Sequence, residues 1–268
     1  MQAKKKNKAP VVYKPYYKGD IWIGSNIKNA LKLLGSYLFF TVLYVITGSS
    51  LSALGTVLRI IANVLVLVVC GGVMYTHGAN NGDGEVALGE IVHTRLEEGK
   101  PVDAKDKKMS YRNLRGVVVF LVALAPILLI TVPVALTAEK QVYALQSLPT
   151  WVDSYVGHDE IYAPLDYYRQ ADPIELLDVL KLICRLLVYP FVCMVGSENL
   201  NGLLLVDKLS PVLAALPGLG YVFGYLSGPY QRARVHGDIA HNKRKQKRKQ
   251  KKQLKARMEQ KEKKNELI

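Results

Sequence analysis

The residues in this chain whose types and spacing could do chemistry are few, and none completes a catalytic set. Glu90 and His93 stand three apart, so on a helix they would offer two metal ligands to one side. A carboxylate-bridged site needs a second Glu-x-x-His from another helix, and the sequence has none. A calcium loop needs more acids at alternate positions than Asp83 and Glu85 supply. His158 has no Ser and Asp partners in a nucleophile-elbow setting, and no glycine-rich phosphate cradle is present. The chain is therefore expected not to be an enzyme and to use no metal and no cofactor.

What remains are polar and small residues in apolar surroundings. Arg59 sits well inside an apolar stretch, with Asn63 one turn deeper on the same face. An intramembrane charge is costly, and such a residue marks either a side chain snorkelling to the headgroups or a polar cavity. In the second case Asp178 or Glu175 could approach it. Gly220, Gly224 and Gly228 recur every fourth residue near the end of the last apolar stretch. Small residues at that spacing form a groove that lets two helix backbones approach. The partner helix is either in the same chain or in a second copy, which makes a homo-oligomer through the last helix one expectation.

The third feature is electrostatic. The chain carries 36 Lys and Arg against 22 Asp and Glu, and residues 230 to 268 alone hold 15 of the basic residues against four acids. Lys243, Arg244, Lys245, Lys247, Arg248, Lys249, Lys251 and Lys252 form the densest run. Such a tail cannot build a core. It suits an anionic surface, either phospholipid headgroups, worth about 1 kcal/mol per nearby cation, or the phosphate backbone of a ribosome. No aromatic residue follows Tyr230 to stack on bases, so a nucleic-acid contact would be sequence-blind.

These residues must be positioned by membrane helices. Four stretches, residues 27 to 47, 54 to 76, 116 to 137 and 209 to 228, are apolar for about the 20 residues that a 30 Å hydrocarbon core requires. Backbone polar groups in lipid must be satisfied within the segment, and helices do so. Residues 174 to 196 carry Glu175, Asp178, Lys181 and Arg185 as one polar stripe on a Leu, Ile and Val helix, the pattern of an amphipathic helix that lies in the interface or re-enters the membrane. The expected fold is all-α: a polytopic helical membrane protein with four transmembrane helices and one embedded or interfacial amphipathic helix. Cys70, Cys184 and Cys193 lie in apolar segments, where a disulfide framework is not expected.

Orientation follows Lys and Arg in short flanking loops. Residues 1 to 26 are basic and are placed in the cytoplasm, as an uncleaved signal anchor would begin. Residues 27 to 76 form a hairpin with its tip outside, and the loop at 77 to 115, with Arg95, Lys100, Lys105, Lys107, Lys108 and Arg112, returns inside. Within it the run Gly78, Asn80, Asn81, Gly82, Asp83, Gly84 reads as a mobile turn before a short surface helix. Pro126 and Pro133 should bend the helix at 116 to 137. Residues 138 to 173, acidic and rich in Tyr, fall outside, and the tail from 229 to 268 falls inside. The expected location is the cell membrane, multi-pass, with both termini cytoplasmic.

Two functions fit. The first is a non-enzymatic scaffold or accessory protein whose polybasic tail contacts anionic lipid, a ribosome or another membrane protein. The alternative is a small transporter or insertase-like protein with a polar cavity around Arg59 and Asn63.

Overall fold

A computed structural model describes residues 11 to 51, 55 to 139, 176 to 196 and 199 to 265. Among them all regular structure is α-helical. The helices are α1 (Ser25–Leu51), α2 (Thr56–Glu97), α3 (Ala104–Met109), α4 (Asn113–Leu136), α5 (Leu176–Leu187), α6 (Tyr189–Val195), α7 (Leu200–Leu226) and α8 (Gly228–Asn265). Four of them, α1, α2, α4 and α7, are long and apolar enough to cross a membrane. The protein is an all-α, multi-pass integral membrane protein.

The four expected stretches lie on these four helices, but two of the helices run well past them. The glycine-rich segment expected to be a mobile turn is instead the middle of α2, which continues unbroken to Glu97. At 1.5 Å per residue its 42 residues extend about 63 Å, twice the hydrocarbon thickness. The apolar part ends near Tyr75, so the second half of α2 belongs outside the lipid. Glycine costs a helix up to about 1 kcal/mol per residue relative to alanine, and the cause of its use here is tertiary: Gly78 and Gly82 are buried against the backbone of α7. Helix α7 begins nine residues before the expected span and so takes in Asp207 and Lys208.

The expected amphipathic segment is two helices. Asp178 and Arg185 lie on α5, and the chain breaks at Val188, with Pro190 in the first turn of α6, since proline has no N–H to continue the ladder. Helix α4 passes through Pro126 and Pro133 without ending. Glu175 and residues 140 to 173, with their acids and tyrosines, lie outside the described residues, as do Lys4, Lys5, Lys6 and Lys8.

The chain divides into two compact units. One comprises Met1–Asn26, Tyr75–Val118 and Gly220–Ile268; the other comprises Ile27–Met74 and Val119–Leu219. The first unit is tied together by polar groups. Residues 11 to 20 have no helix or strand, yet the amides of Val12, Tyr17, Gly19 and Asp20 donate to carbonyls of Ala233, Gly89, Tyr111 and Lys108. Val86, Tyr111 and Tyr225 form its apolar centre, with Tyr16 against them and the rings of Tyr111 and Tyr225 stacked 5.1 Å apart. In the second unit, many large apolar side chains on α1, α2 and α4 are exposed, among them Phe39, Val68, Leu129 and Leu136. In water this would be unfavourable; in a bilayer it is the surface the lipid wets.

Candidate functional site

Gly224 of α7 and Gly228, the first residue of α8, meet α2. A Cβ on Gly224 would strike the carbonyl oxygen of Tyr75, and one on Gly228 would lie 2.5 Å from the carbonyl carbon of Gly82. In return, Gly78 abuts the carbonyl of Tyr221 and Gly82 that of Tyr225. Two helices thus touch backbone to backbone through small residues on both sides, the packing open to helices that give up side chains at one face. Gly220, first of the expected triplet, is half-buried. Asn81 donates to the Tyr221 hydroxyl at 3.2 Å and Tyr75 to the Ser227 hydroxyl at 3.0 Å, which adds polar ties along the same seam.

Beside this seam lies a highly connected charged group. Arg115, on the first turn of α4, is completely buried. Its Nη1 donates to Glu85 at 2.8 Å and to the Met109 carbonyl at 2.8 Å, its Nη2 donates to the carbonyls of Lys108 (2.6 Å) and Asp20, and its Nε donates to Asp20 at 3.1 Å. The fork geometry of a guanidinium serves several acceptors at once, so one side chain joins the N-terminal segment, the end of α3 and α2. The Tyr225 hydroxyl donates to the same Glu85 carboxylate. Burial pushes the Glu85 carboxyl above its ordinary range, while the Tyr225 hydroxyl and the Arg115 guanidinium draw it back. Burial also holds the Tyr111 phenol up at about 12.

A second polar cluster follows along α2. Glu90 accepts from Arg232 Nε at 3.1 Å, and both its oxygens lie within 2.9 Å of His236 Nε2. With Lys14, His93 and Arg95 these side chains line a cavity of about 450 Å³. Glu90 and His93 therefore share a cavity, as their spacing suggested, but the carboxylate is engaged by α8. Among the described residues no group of three His, Cys, Asp or Glu side chains is arranged to hold a metal ion.

The second unit holds Arg59 and Asn63 on α2. Asn63 is buried, and its amide donates to the Arg59 carbonyl at 2.8 Å, the local bond of its own helix. The Arg59 guanidinium turns instead toward Gly196 at the end of α6, where φ is +86° and an added Cβ would lie 3.0 Å from Nη2. Its Nε is buried with no hydrogen-bond partner among the described residues. Asp178, one acid the sequence offered to Arg59, is 3.9 Å from Lys181.

The same unit contains a pair that the sequence did not announce. Arg185 of α5 meets Asp207 of α7 through two parallel bonds, Nε to Oδ1 at 3.1 Å and Nη2 to Oδ2 at 2.7 Å. Asp207 is buried, so Arg185 turns from the polar stripe into the protein. The available signal was phase. Leu203, Asp207, Ser210, Ala214, Tyr221 and Tyr225 are all buried at spacings of three, four or seven, which puts the carboxylate on the same face as the packing residues.

Helix α8 carries the basic run. Lys243, Arg244, Lys245, Lys247, Arg248, Lys249, Lys251 and Lys252 are all exposed, and successive residues at 100° steps spread them over about 240° of the circumference, with Gln246, Gln250 and Gln253 in the remaining sector. No known protein family matches this chain, no curated protein is similar to it, and no solved structure shares its fold at a detectable level.

Proposed function

We propose that this integral membrane protein is a non-enzymatic scaffold or accessory protein of the cell membrane that presents α8 to an anionic surface at the inner face. One observation carries the reading: eight exposed cations cover about two thirds of the circumference of α8 between Lys243 and Lys252. Like charges stack one turn apart at 243, 247 and 251 and at 244, 248 and 252, and each such pair opposes helix formation by a few tenths of a kcal/mol. A counter-surface of phosphate reverses that sign, and Lys and Arg placed before α1 and after α7 put both ends of the chain on the cytoplasmic side.

A planar bilayer neutralises one side of such a helix, whereas ribosomal RNA can enclose it, so the test has two arms. The full chain in nanodiscs of neutral lipid is mixed with anionic vesicles or with purified ribosomes, at low and high salt, beside a chain ending at residue 241. Salt-sensitive capture by the full chain alone, by vesicles or by ribosomes, is the expected result and identifies the surface. Equal capture by the shorter chain, or capture indifferent to salt, overturns the reading.

A second reading, a small transporter or insertase-like protein, is favoured by the buried Nε of Arg59, which has no hydrogen-bond partner among the described residues. Arg59→Leu would then abolish activity in reconstituted vesicles while insertion is unchanged. Wild-type behaviour of that variant removes it.

A further inference from the structure

Helices α1 and α2 enclose an apolar groove of about 570 Å³ that no reading of the basic helix uses. Phe39, Phe40 and Leu43 of α1 and Leu65, Val69 and Val73 of α2 form its walls. Gly35 widens it, since nothing lies within 4 Å of the position a Cβ would take there. One cation lines it, Lys32, exposed in the second turn of α1, with Lys28 one turn nearer the end of the helix.

We propose that this groove binds one anionic phospholipid of the inner leaflet, its acyl chain along the apolar walls and its headgroup phosphate on Lys32. Length supports this occupant. Lys32 and Leu43 are eleven residues apart on α1, about 16 Å at 1.5 Å per residue, and one leaflet of a 30 Å core is about 15 Å deep. Charge supports it as well. The lysine stands at the end of the groove that the positive-inside rule assigns to the cytoplasm, where anionic headgroups concentrate, and basic recesses between helices on that side take acidic lipids. A second copy of the chain would have to offer a counter-charge to Lys32 at the membrane boundary, whereas the lipid brings its own. The site stands on α1 and α2 and does not depend on α8 binding anything.

The test is native mass spectrometry of the full chain released from detergent after titration with phosphatidylglycerol or phosphatidylcholine. The wild type should retain one phosphatidylglycerol in preference to phosphatidylcholine. Lys32→Gln should reduce that preference about fivefold, the worth of one lysine beside an anionic headgroup. Gly35→Phe, which enters open space and leaves helix packing untouched, should remove the retained lipid of either kind without lowering Tm. Changing the eight cations between Lys243 and Lys252 to Gln should leave that one lipid in place. Equal retention of the two lipids by the wild type, retention unchanged in Gly35→Phe, or loss that follows the α8 substitutions overturns the proposal. So does a dimer in the wild type that Gly35→Phe dissociates.

Discussion

Arg115 and Arg185 each meet a carboxylate in the protein interior, one in each compact unit, yet they are embedded differently. Arg115 is fully buried and serves Glu85 together with three backbone carbonyls, so its removal strands acceptors on three segments. Arg185 gives two parallel bonds to the Asp207 carboxylate and remains partly accessible. The glycines differ in parallel. In the unit containing Arg115, Gly19, Gly78, Gly82, Gly89, Gly224 and Gly228 are pressed against backbone, while Gly116 meets the Tyr225 side chain. In the other, Gly48, Gly202 and Gly218 meet side chains, and Gly35, Gly71 and Gly72 meet nothing. One unit is held by close backbone approach and a polar keystone; the other is a set of apolar helices with space between them, suited to lipid as solvent.

The largest effect expected from breaking this contrast is at the seam. Gly224→Leu should prevent accumulation of folded protein, because the displaced atom is the rigid carbonyl of Tyr75, whereas Gly35→Leu should be tolerated with Tm unchanged. Detergent-extracted yield and Tm of the two variants measure the difference, and equal tolerance would mean that the backbones do not touch.

Next come the arginines. Arg115→Met should cost about 3–5 kcal/mol, since it leaves Glu85 buried and uncompensated, and adding Glu85→Leu should not restore stability because the carbonyls of Asp20, Lys108 and Met109 still lack their donor. Arg185→Leu should cost a similar amount, but joining it to Asp207→Leu should recover most of the loss, as replacing a whole buried pair by apolar groups is often neutral. Thermal unfolding of the single and double variants gives both cycles. Rescue in the first, or none in the second, would erase the distinction. The smallest effect is expected at Glu90→Gln, which weakens contacts to a partly exposed Arg232 and to His236 and should lower stability by about 1 kcal/mol.

The four apolar helices were legible because a bilayer imposes a length that soluble cores do not, and the apolar runs at 27 to 47 and 116 to 137 meet it in one piece. The second half of α2 was hidden because its glycines weaken a helix locally, and only the backbone of α7 against Gly78 and Gly82 makes them useful. Their spacing held the clue: Gly78, Gly82, Glu85 and Gly89 recur at three or four residues, which is helical phase and not turn chemistry. Asp207 was obscured by Lys208 beside it, which together mark a helix end when the window is read for charge alone. Two partners of Arg115, Glu85 and Asp20, lie 30 and 95 residues away, and no local pattern links them to it. The run of cations on α8, by contrast, is a property of composition and needs no partner to be seen.

The account depends most on α8 lying at the inner face of the membrane. A single cysteine placed at Gln250, in a chain whose Cys70, Cys184 and Cys193 are replaced by alanine, tests it with a membrane-impermeant maleimide. No labelling in intact cells, and full labelling after permeabilisation, is the predicted result. Labelling of intact cells from outside would contradict it.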